Sequence, residues 1–221
     1  MLYHLEAVKA NIRNREGKRV FYLGKGDQLT SDARDFLCRE RIDILPAEQA
    51  RPQRYRLLDG GYMEEKPEHM THLNGDVLVP KTHPRIEFRG AMDTLEAELL
   101  LCQLDVPQWQ QELGEILALA RKVIRWEVLE EPVREEKLCG LTQEELRSHS
   151  HRPQDFYGIP HFMPRISDGV GVLRLNRARC AAREAERRAV AAIPEREDIL
   201  RVMNRMSSML YILMLREKAK N

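Results

Sequence analysis

The chain has 221 residues, room for one sizeable domain or a domain with a small appendage. Hydrophobic residues make up 43% and charged residues 32%, the balance of a globular protein, and no apolar run is long enough to span a bilayer. A formal net charge of +1 and a pI near 7.7 exclude any general pull toward nucleic acid or membrane.

Charges interrupt the first ten residues, so they do not read as a signal peptide. The cysteines, Cys38, Cys102, Cys139 and Cys180, are scattered and read as reduced thiols of a cytoplasmic protein. Val20–Leu23 reads as a strand followed by a turn over Gly24, Lys25, Gly26 and Asp27. Thr30 or Ser31 caps a short helix running to Arg41, and Ile42–Leu45 is a second strand. From Ala47 to Pro80 proline and glycine recur and periodicity fades, which predicts an irregular connection.

Beyond Pro84 the pattern turns helical. Phe88, Ala91, Met92, Leu95, Leu99 and Cys102 share one helix face. After Pro107, a second stripe runs from Trp109 to Val128. Thr142 and Glu145 have capping-box spacing and open a shorter helix. Ser148 to Asp168 carries Pro153, Gly158, Pro160 and Pro164 and is predicted to be a structured loop. A long helix follows to about Ile193, Pro194 breaks it, and a last helix carries Ile199, Val202, Met203, Met206, Met209, Leu210, Leu213 and Met214 inward. The expected fold is mainly α, an antiparallel bundle of five helices over residues 81–221. A small α/β or irregular extension occupies residues 1–80.

Arg179, Arg183 and Glu186 are spaced i, i+4 and i+7, which places them within about 60° of one helix face. Two arginines a turn apart can hold a polyphosphate through paired, charge-assisted hydrogen bonds. The competing possibility is a solvated Arg/Glu face.

The run Arg177-Ala178-Arg179-Cys180-Ala181-Ala182-Arg183-Glu184-Ala185-Glu186-Arg187 resembles the signature helix of the ATP:cobalamin adenosyltransferases. Val79–Asp93, with Lys81, Arg85, Glu87, Gly90 and Asp93, looks like the block that opens that family's first bundle helix. Met203–Tyr211 is similar to its Asn-Arg-Leu-Ser segment. Thr71-His72-Leu73, Gly140-Leu141-Thr142 with Glu145 and Leu146, Ser150-His151 with Pro153, and His161 with Pro164 look most like the ethanolamine-utilisation type. The resemblance spans roughly Asp27 to Leu215.

It implies transfer of the 5′-deoxyadenosyl group of ATP to the cobalt of cob(I)alamin. The alternative is a non-catalytic module that binds or delivers cobalamin. The resemblance gives Asp93, Arg179 and Arg183 to catalysis, with Asp93 pairing Arg179; a local pair with Arg89 is the other possibility for Asp93. Lys81, Arg183, Glu186 and Asn204 are implied ATP contacts. Gly26 and Asp27 join them if their turn is a counterpart of the family's phosphate loop rather than a plain turn. Lys81, Arg85 and Arg89 form a basic cluster ahead of and within the first bundle helix. Asn204, Ser207, Ser208 and Tyr211 face either the nucleotide or a neighbouring subunit, or make helix–helix hydrogen bonds. His161 and Phe162, with Asp93, are the implied cobalamin contacts; Phe162 could equally pack the loop.

Some ethanolamine-type enzymes carry a cysteine cluster ahead of the Thr-His-Leu segment. This chain has Asp59–His69 there, and His69 and His72 alone cannot close a tetrahedral site. No structural transition metal is expected, while Mg²⁺ carried on ATP is. The resemblance also implies a homotrimer, a corrinoid reductase, and a cobalamin-dependent ethanolamine ammonia-lyase as the user of the product, with a bacterial microcompartment as one setting.

Overall fold

The structure is a computed structural model that describes residues 1–15, 17–49, 55–134 and 137–220. It separates into two compact units, Met1–Arg54 and Tyr55–Asn221, so the division falls at residue 54 where composition set it at 80.

In the first unit, β1 (Leu2–Tyr3) runs parallel to β4 (Gln28–Leu29). The other strands are β2 (Arg13–Arg15), β3 (Lys18–Leu23) and β5 (Asp43–Pro46), with β3 central, antiparallel to β2 and parallel to β5. Helices α1 (Leu5–Ala10) and α2 (Ser31–Arg39) close a small core of Val8, Phe21, Ala33, Leu37 and Ile42. The expected strands and helix over 20–45 are all present. Thr30 stands at the α2 N-cap position, but its hydroxyl donates to the Tyr3 carbonyl and makes no side-chain cap bond.

The second unit begins with a four-stranded sheet in place of the irregular connection. Its strands are β6 (Tyr55–Leu57), β7 (Tyr62–Met63), β8 (Met70–Asn74) and β9 (Val77–Pro80), in the order β7-β6-β9-β8. They run two to five residues, too short to show a twofold period against the turns between them. Residues 50–54 of that expected connection lie outside the described residues.

Four long helices follow: α3 (Pro84–Asp105), α4 (Gln110–Leu129), α7 (Gly169–Ala192) and α8 (Glu197–Lys218). Between α4 and α7 come a hairpin of β10 (Lys137–Leu138) and β11 (Leu141–Thr142), then α5 (Gln143–His151) and α6 (Pro153–Tyr157). The capping box at Thr142 forms as expected. The predicted loop over 148–168 is shorter than expected, because α5 extends to His151 and Pro153 starts α6. Proline needs no N–H in a first turn, so there it opens a helix rather than breaking one.

The long helices share one core. α7 packs between α3 and α8, and its buried face is largely alanine: Ala178, Ala181, Ala182, Ala185 and Ala189. Small side chains let three helices approach closely. Gly171 extends this to the start of α7, where a Cβ would lie 2.5 Å from the Glu217 carboxylate. That carboxylate accepts from Trp109 Nε1 at 2.7 Å and from Gln108 at 2.9 Å. Between Met209 and Leu215 every residue of α8 is buried, the pattern of a helix enclosed on all sides.

Arg85 and Arg89 both turn inward to Glu127, which is 2% exposed. Arg85 Nε and Nη2 donate to the Glu127 carboxylate and carbonyl, Arg89 Nε donates to the carboxylate at 2.8 Å, and Arg89 Nη1 reaches the Leu73 carbonyl at 2.9 Å. This network ties α3 to α4 and to β8. Glu127→Gln, which leaves two guanidiniums without their countercharge, should lower unfolding free energy by about 3 kcal/mol. Urea denaturation measures it.

Candidate functional site

α7 carries arginines at 174, 177, 179, 183, 187 and 188. Arg174 pairs with Asp105 at 2.7 Å, Arg177 with Glu98 at 2.9 Å, and Arg188 with Glu87 at 2.6 Å, a ladder that runs α7 antiparallel to α3. Arg187 pairs with Glu184 at 3.2 Å. Among the described residues, Arg179 and Arg183 make no ion pair. These are the two that the spacing singled out. They sit about 140–180° around the helix from Arg174, on the flank beside α8.

Their stripe meets α8 at two points. Glu186 accepts from Asn204 Nδ2 at 2.8 Å, and Asn204 Oδ1 accepts from Arg205 at 2.6 Å. Ser207 and Ser208 hydroxyls turn back to the Asn204 carbonyl. The Arg179 guanidinium lies 5.3 Å from the Tyr211 ring centre. Arg183 is exposed.

Tyr211 organises the loop before α7. It is 9% exposed, so its hydroxyl needs partners inside the protein. His161 Nε2 faces the His151 carbonyl at 3.2 Å, which can only accept, so that nitrogen carries the hydrogen. Nδ1 then accepts from the Tyr211 hydroxyl at 3.1 Å. The Phe162 backbone N–H donates to the same hydroxyl oxygen. Burial pushes the Tyr211 hydroxyl above its ordinary range, so it remains a donor at neutral pH. His161 and Phe162 both stack near Tyr211, with ring centres 5.8 and 6.2 Å away. Lys218 lies 4.8 Å from the Phe162 ring and bonds Asp168, whose carboxylate also accepts the Arg165 N–H at 2.7 Å. That carboxylate is held below its ordinary range, chiefly by Lys218.

The structure thus gathers Arg179, Arg183, Glu186, Asn204, His161 and Phe162 on α7, α8 and the preceding loop. Tyr211 lies at their centre; the sequence offered it to the nucleotide, a neighbouring subunit or a helix–helix bond, and its hydroxyl instead bonds the loop before α7. Its signal was present: it stands seven positions after Asn204, on the same face of α8.

Other expected residues lie elsewhere. Asp93 is exposed on α3 and pairs with neither Arg179 nor Arg89. Glu98, which does face α7, is about 140° around the helix from Asp93, and Arg89 is held by Glu127. The basic cluster of Lys81, Arg85 and Arg89 does not form as a phosphate-facing group, since Glu127 holds both arginines. Lys81 is exposed, 3.9 Å from Glu68. In the first unit, the Gly24–Asp27 turn closes on itself: Asp27 N–H donates to the Gly24 carbonyl at 3.0 Å and Gly24 N–H to the Asp27 carboxylate at 3.2 Å. The N-terminal ammonium, 2.5 Å away, lowers the Asp27 pKa. The Gly24 N–H is therefore already engaged by the turn's own carboxylate.

Among the described residues, no three His, Cys, Asp or Glu side chains converge as a metal site. All four cysteines are unpaired, and burial pushes the Cys102 and Cys139 thiols up to about 12. No helix among the described residues is long and apolar enough to cross a membrane.

In this mainly helical protein, two arginines without acid partners among the described residues lie beside a stacked aromatic group. The cobalamin adenosyltransferase family model matches residues 61–217, and the chain belongs to that family. It is similar to the corrinoid adenosyltransferase EutT of Salmonella typhimurium (strain LT2), 32% identical over 164 residues, covering 71% of this chain and 61% of that protein. The EutT protein of Escherichia coli (strain K12) is 32% identical over 158 residues, covering 68% and 59%. The chain thus spans about 60% of the length of these curated relatives. No solved structure matches it.

Tyr211→Phe keeps the ring and removes the hydroxyl that joins His161 to Phe162. It should cost about 1 kcal/mol and speed amide hydrogen exchange in residues 159–166 while leaving α3 and α4 protected. Unchanged exchange in that loop would show that the hydroxyl does not anchor it.

Proposed function

We propose that this chain transfers the 5′-deoxyadenosyl group of ATP to the cobalt of cob(I)alamin. The observation that carries the reading is the pair Arg179 and Arg183, left without acid partners on a helix whose other arginines are all paired. Two guanidiniums a turn apart offer a fixed set of donors to a phosphate chain. Glu186 and Asn204, already bonded to each other, present a carboxylate and an amide beside them for the ribose or base. His161 and Phe162, stacked near the buried Tyr211 ring, are the side chains offered to a corrin.

In this reaction reduced cobalt is the nucleophile. A Co–C bond forms at the 5′ carbon as the C–O bond to the phosphate chain breaks, and the chain leaves with the electron pair. No side chain has to abstract a proton. The protein's tasks are to hold the two substrates in line and to meet the charge that develops on the leaving oxygen. Arg183, exposed and unpaired, is placed for that charge. Arg179 is fixed by Tyr211 and bridges the phosphate-binding stripe to the aromatic group. His161 and Phe162 stand where they can exclude water from one face of a corrin.

The same proposal includes a homotrimer with sites between subunits. Asp93, Leu100 and Leu104 share one outer stripe of α3, at i, i+7 and i+11. Leu100 and Leu104 are 47% and 78% exposed, an apolar stripe beside an unpaired carboxylate. Packed on a neighbouring copy, Asp93 would meet that copy's arginine stripe. Lys81 would reach a phosphate from the helix start, and Mg²⁺ would travel with the nucleotide. A corrinoid reductase supplies the reduced substrate. By the chain's resemblance to the ethanolamine-utilisation type, the product serves ethanolamine utilisation, with a cobalamin-dependent ammonia-lyase as its user.

Arg183→Ala should weaken ATP binding by about 1.5–3 kcal/mol, roughly 10- to 100-fold in Kd, and slow adenosylation in step. Calorimetry with ATP and a single-turnover assay with chemically reduced cobalamin test both. ATP affinity and turnover at wild-type levels would leave Arg183 a solvated surface residue. Absence of any ATP binding by the wild type would favour a cobalamin carrier instead.

The chain lacks the cysteine cluster, so activity should survive a transition-metal chelator once Mg²⁺ is restored. Stoichiometric zinc or iron whose removal abolishes turnover would overturn this.

A further inference from the structure

Among the described residues, Arg205 alone holds buried side-chain nitrogens with no hydrogen-bond partner, its Nε and Nη1. Only Nη2 is engaged, on Asn204 Oδ1 at 2.6 Å. Apolar walls explain the burial: Leu119, Leu138, Leu141, Leu146 and Val202 line the space beside it. A guanidinium does not give up its proton to relieve this, so the charge stays. The residue as a whole is only partly buried, so the cost falls on these two nitrogens, each a donor left without an acceptor.

Arg205 also lines a cleft of about 420 Å³ with Arg147 of α5, Arg201 one turn earlier on α8, Gln143 and Glu144. Arg147 and Arg201 are exposed and make no ion pair among the described residues. Three guanidiniums therefore share one cleft with one carboxylate. Burial lowers the Arg205 pKa most, Arg147 and Arg201 push it the same way, and Glu186 and Glu144 oppose them. On α7, four arginines found acids. Here the chain supplies none for the buried nitrogens, and the cleft is of ordinary ligand size.

The geometry points to a polyphosphate-binding pocket formed by Arg147, Arg201 and Arg205. A single carboxylate satisfies one guanidinium fork, whereas a phosphate chain carries enough oxygens for three. Arg205 holds Asn204, and Asn204 holds Glu186, so the pocket borders the α7–α8 face and an anion in it would fix that relay. Two sources offer this chemistry: the phosphate chain of a nucleotide seated on that face, and free inorganic polyphosphate.

Isothermal titration of the full chain with inorganic tripolyphosphate at low salt tests the pocket. The wild type should bind one equivalent. The Arg147→Ala/Arg201→Ala double variant, altered only at exposed positions, should bind at least about tenfold more weakly. Arg121→Ala, which removes an arginine paired to Glu96, controls for net charge and should stay within about twofold, as expected for a screened surface pair. Repeating the titration with saturating ATP assigns the source: displacement means the nucleotide's own chain fills the pocket, and simultaneous binding means a separate anion does. In a thermal melt, tripolyphosphate should raise the wild-type Tm and leave Arg205→Met unmoved. No uptake by the wild type, equal uptake by the double variant, or a wild-type shift in Arg205→Met would each overturn the proposal. If Arg205→Met does not fold, the double variant still decides. The Arg183→Ala assay reads the neighbouring stripe, so the adenosyltransfer reading and this pocket fail separately.

Discussion

From Met209 to Leu215, α8 has no residue facing water, and this enclosure governs every polar group the helix carries. A buried donor or acceptor left unpaired costs about 1–3 kcal/mol, so each needs a partner within the protein. Tyr211 is met by His161 and Phe162, Glu217 by Trp109 and Gln108, and Ser207 by the Asn204 carbonyl. The loop before α7 is therefore placed by a demand that originates in α8. Its two aromatic side chains are fixed before any ligand arrives, which removes part of the ordering cost of binding.

The second constraint is charge. α7 is rich in arginine, and α3 presents Glu87, Glu98 and Asp105 along one edge to meet it. Those pairs are solvent-exposed and individually weak. Their importance is positional: they fix which flank of α7 faces α3 and so leave Arg179 and Arg183 on the other. Alanines across the buried face bring α8 close enough for Asn204 to reach Glu186 and for Arg179 to lie over Tyr211. Small residues, acid pairing and the enclosure of α8 converge on one surface.

Much of this could be read in the sequence. The long helices announce themselves because apolar residues recur every three to four positions over twenty residues, and Thr142 with Glu145 is a local signal that tertiary structure does not override. The stripe at 179, 183 and 186 follows from helical spacing alone. What failed was pairing between elements. Asp93, Arg85 and Arg89 each have plausible partners in sequence, but partner choice depends on the rotation of α3 about its own axis. Only packing sets that rotation, and it gives Arg85 and Arg89 to Glu127. The strands of 55–80 were too short for periodicity to register. Tyr211 was grouped with Asn204 toward a nucleotide, a neighbouring subunit or another helix, and its actual partner, His161, was not legible because it comes from a loop fifty residues away.

Arg205 brings the two constraints together. It sits on the helix whose polar groups must be satisfied, and it is satisfied on one nitrogen only. Arg201 and Arg147 add charge to the same cleft, so relaxation of nearby side chains cannot remove the imbalance; moving one guanidinium outward leaves the buried nitrogens of Arg205 as they were. A ligand that brings several negative oxygens resolves the burial and the repulsion in one step. Its binding would stiffen Asn204 and Glu186 through the bond that Arg205 already makes, so the cleft and the arginine stripe on α7 are mechanically one surface even where they hold different ligands.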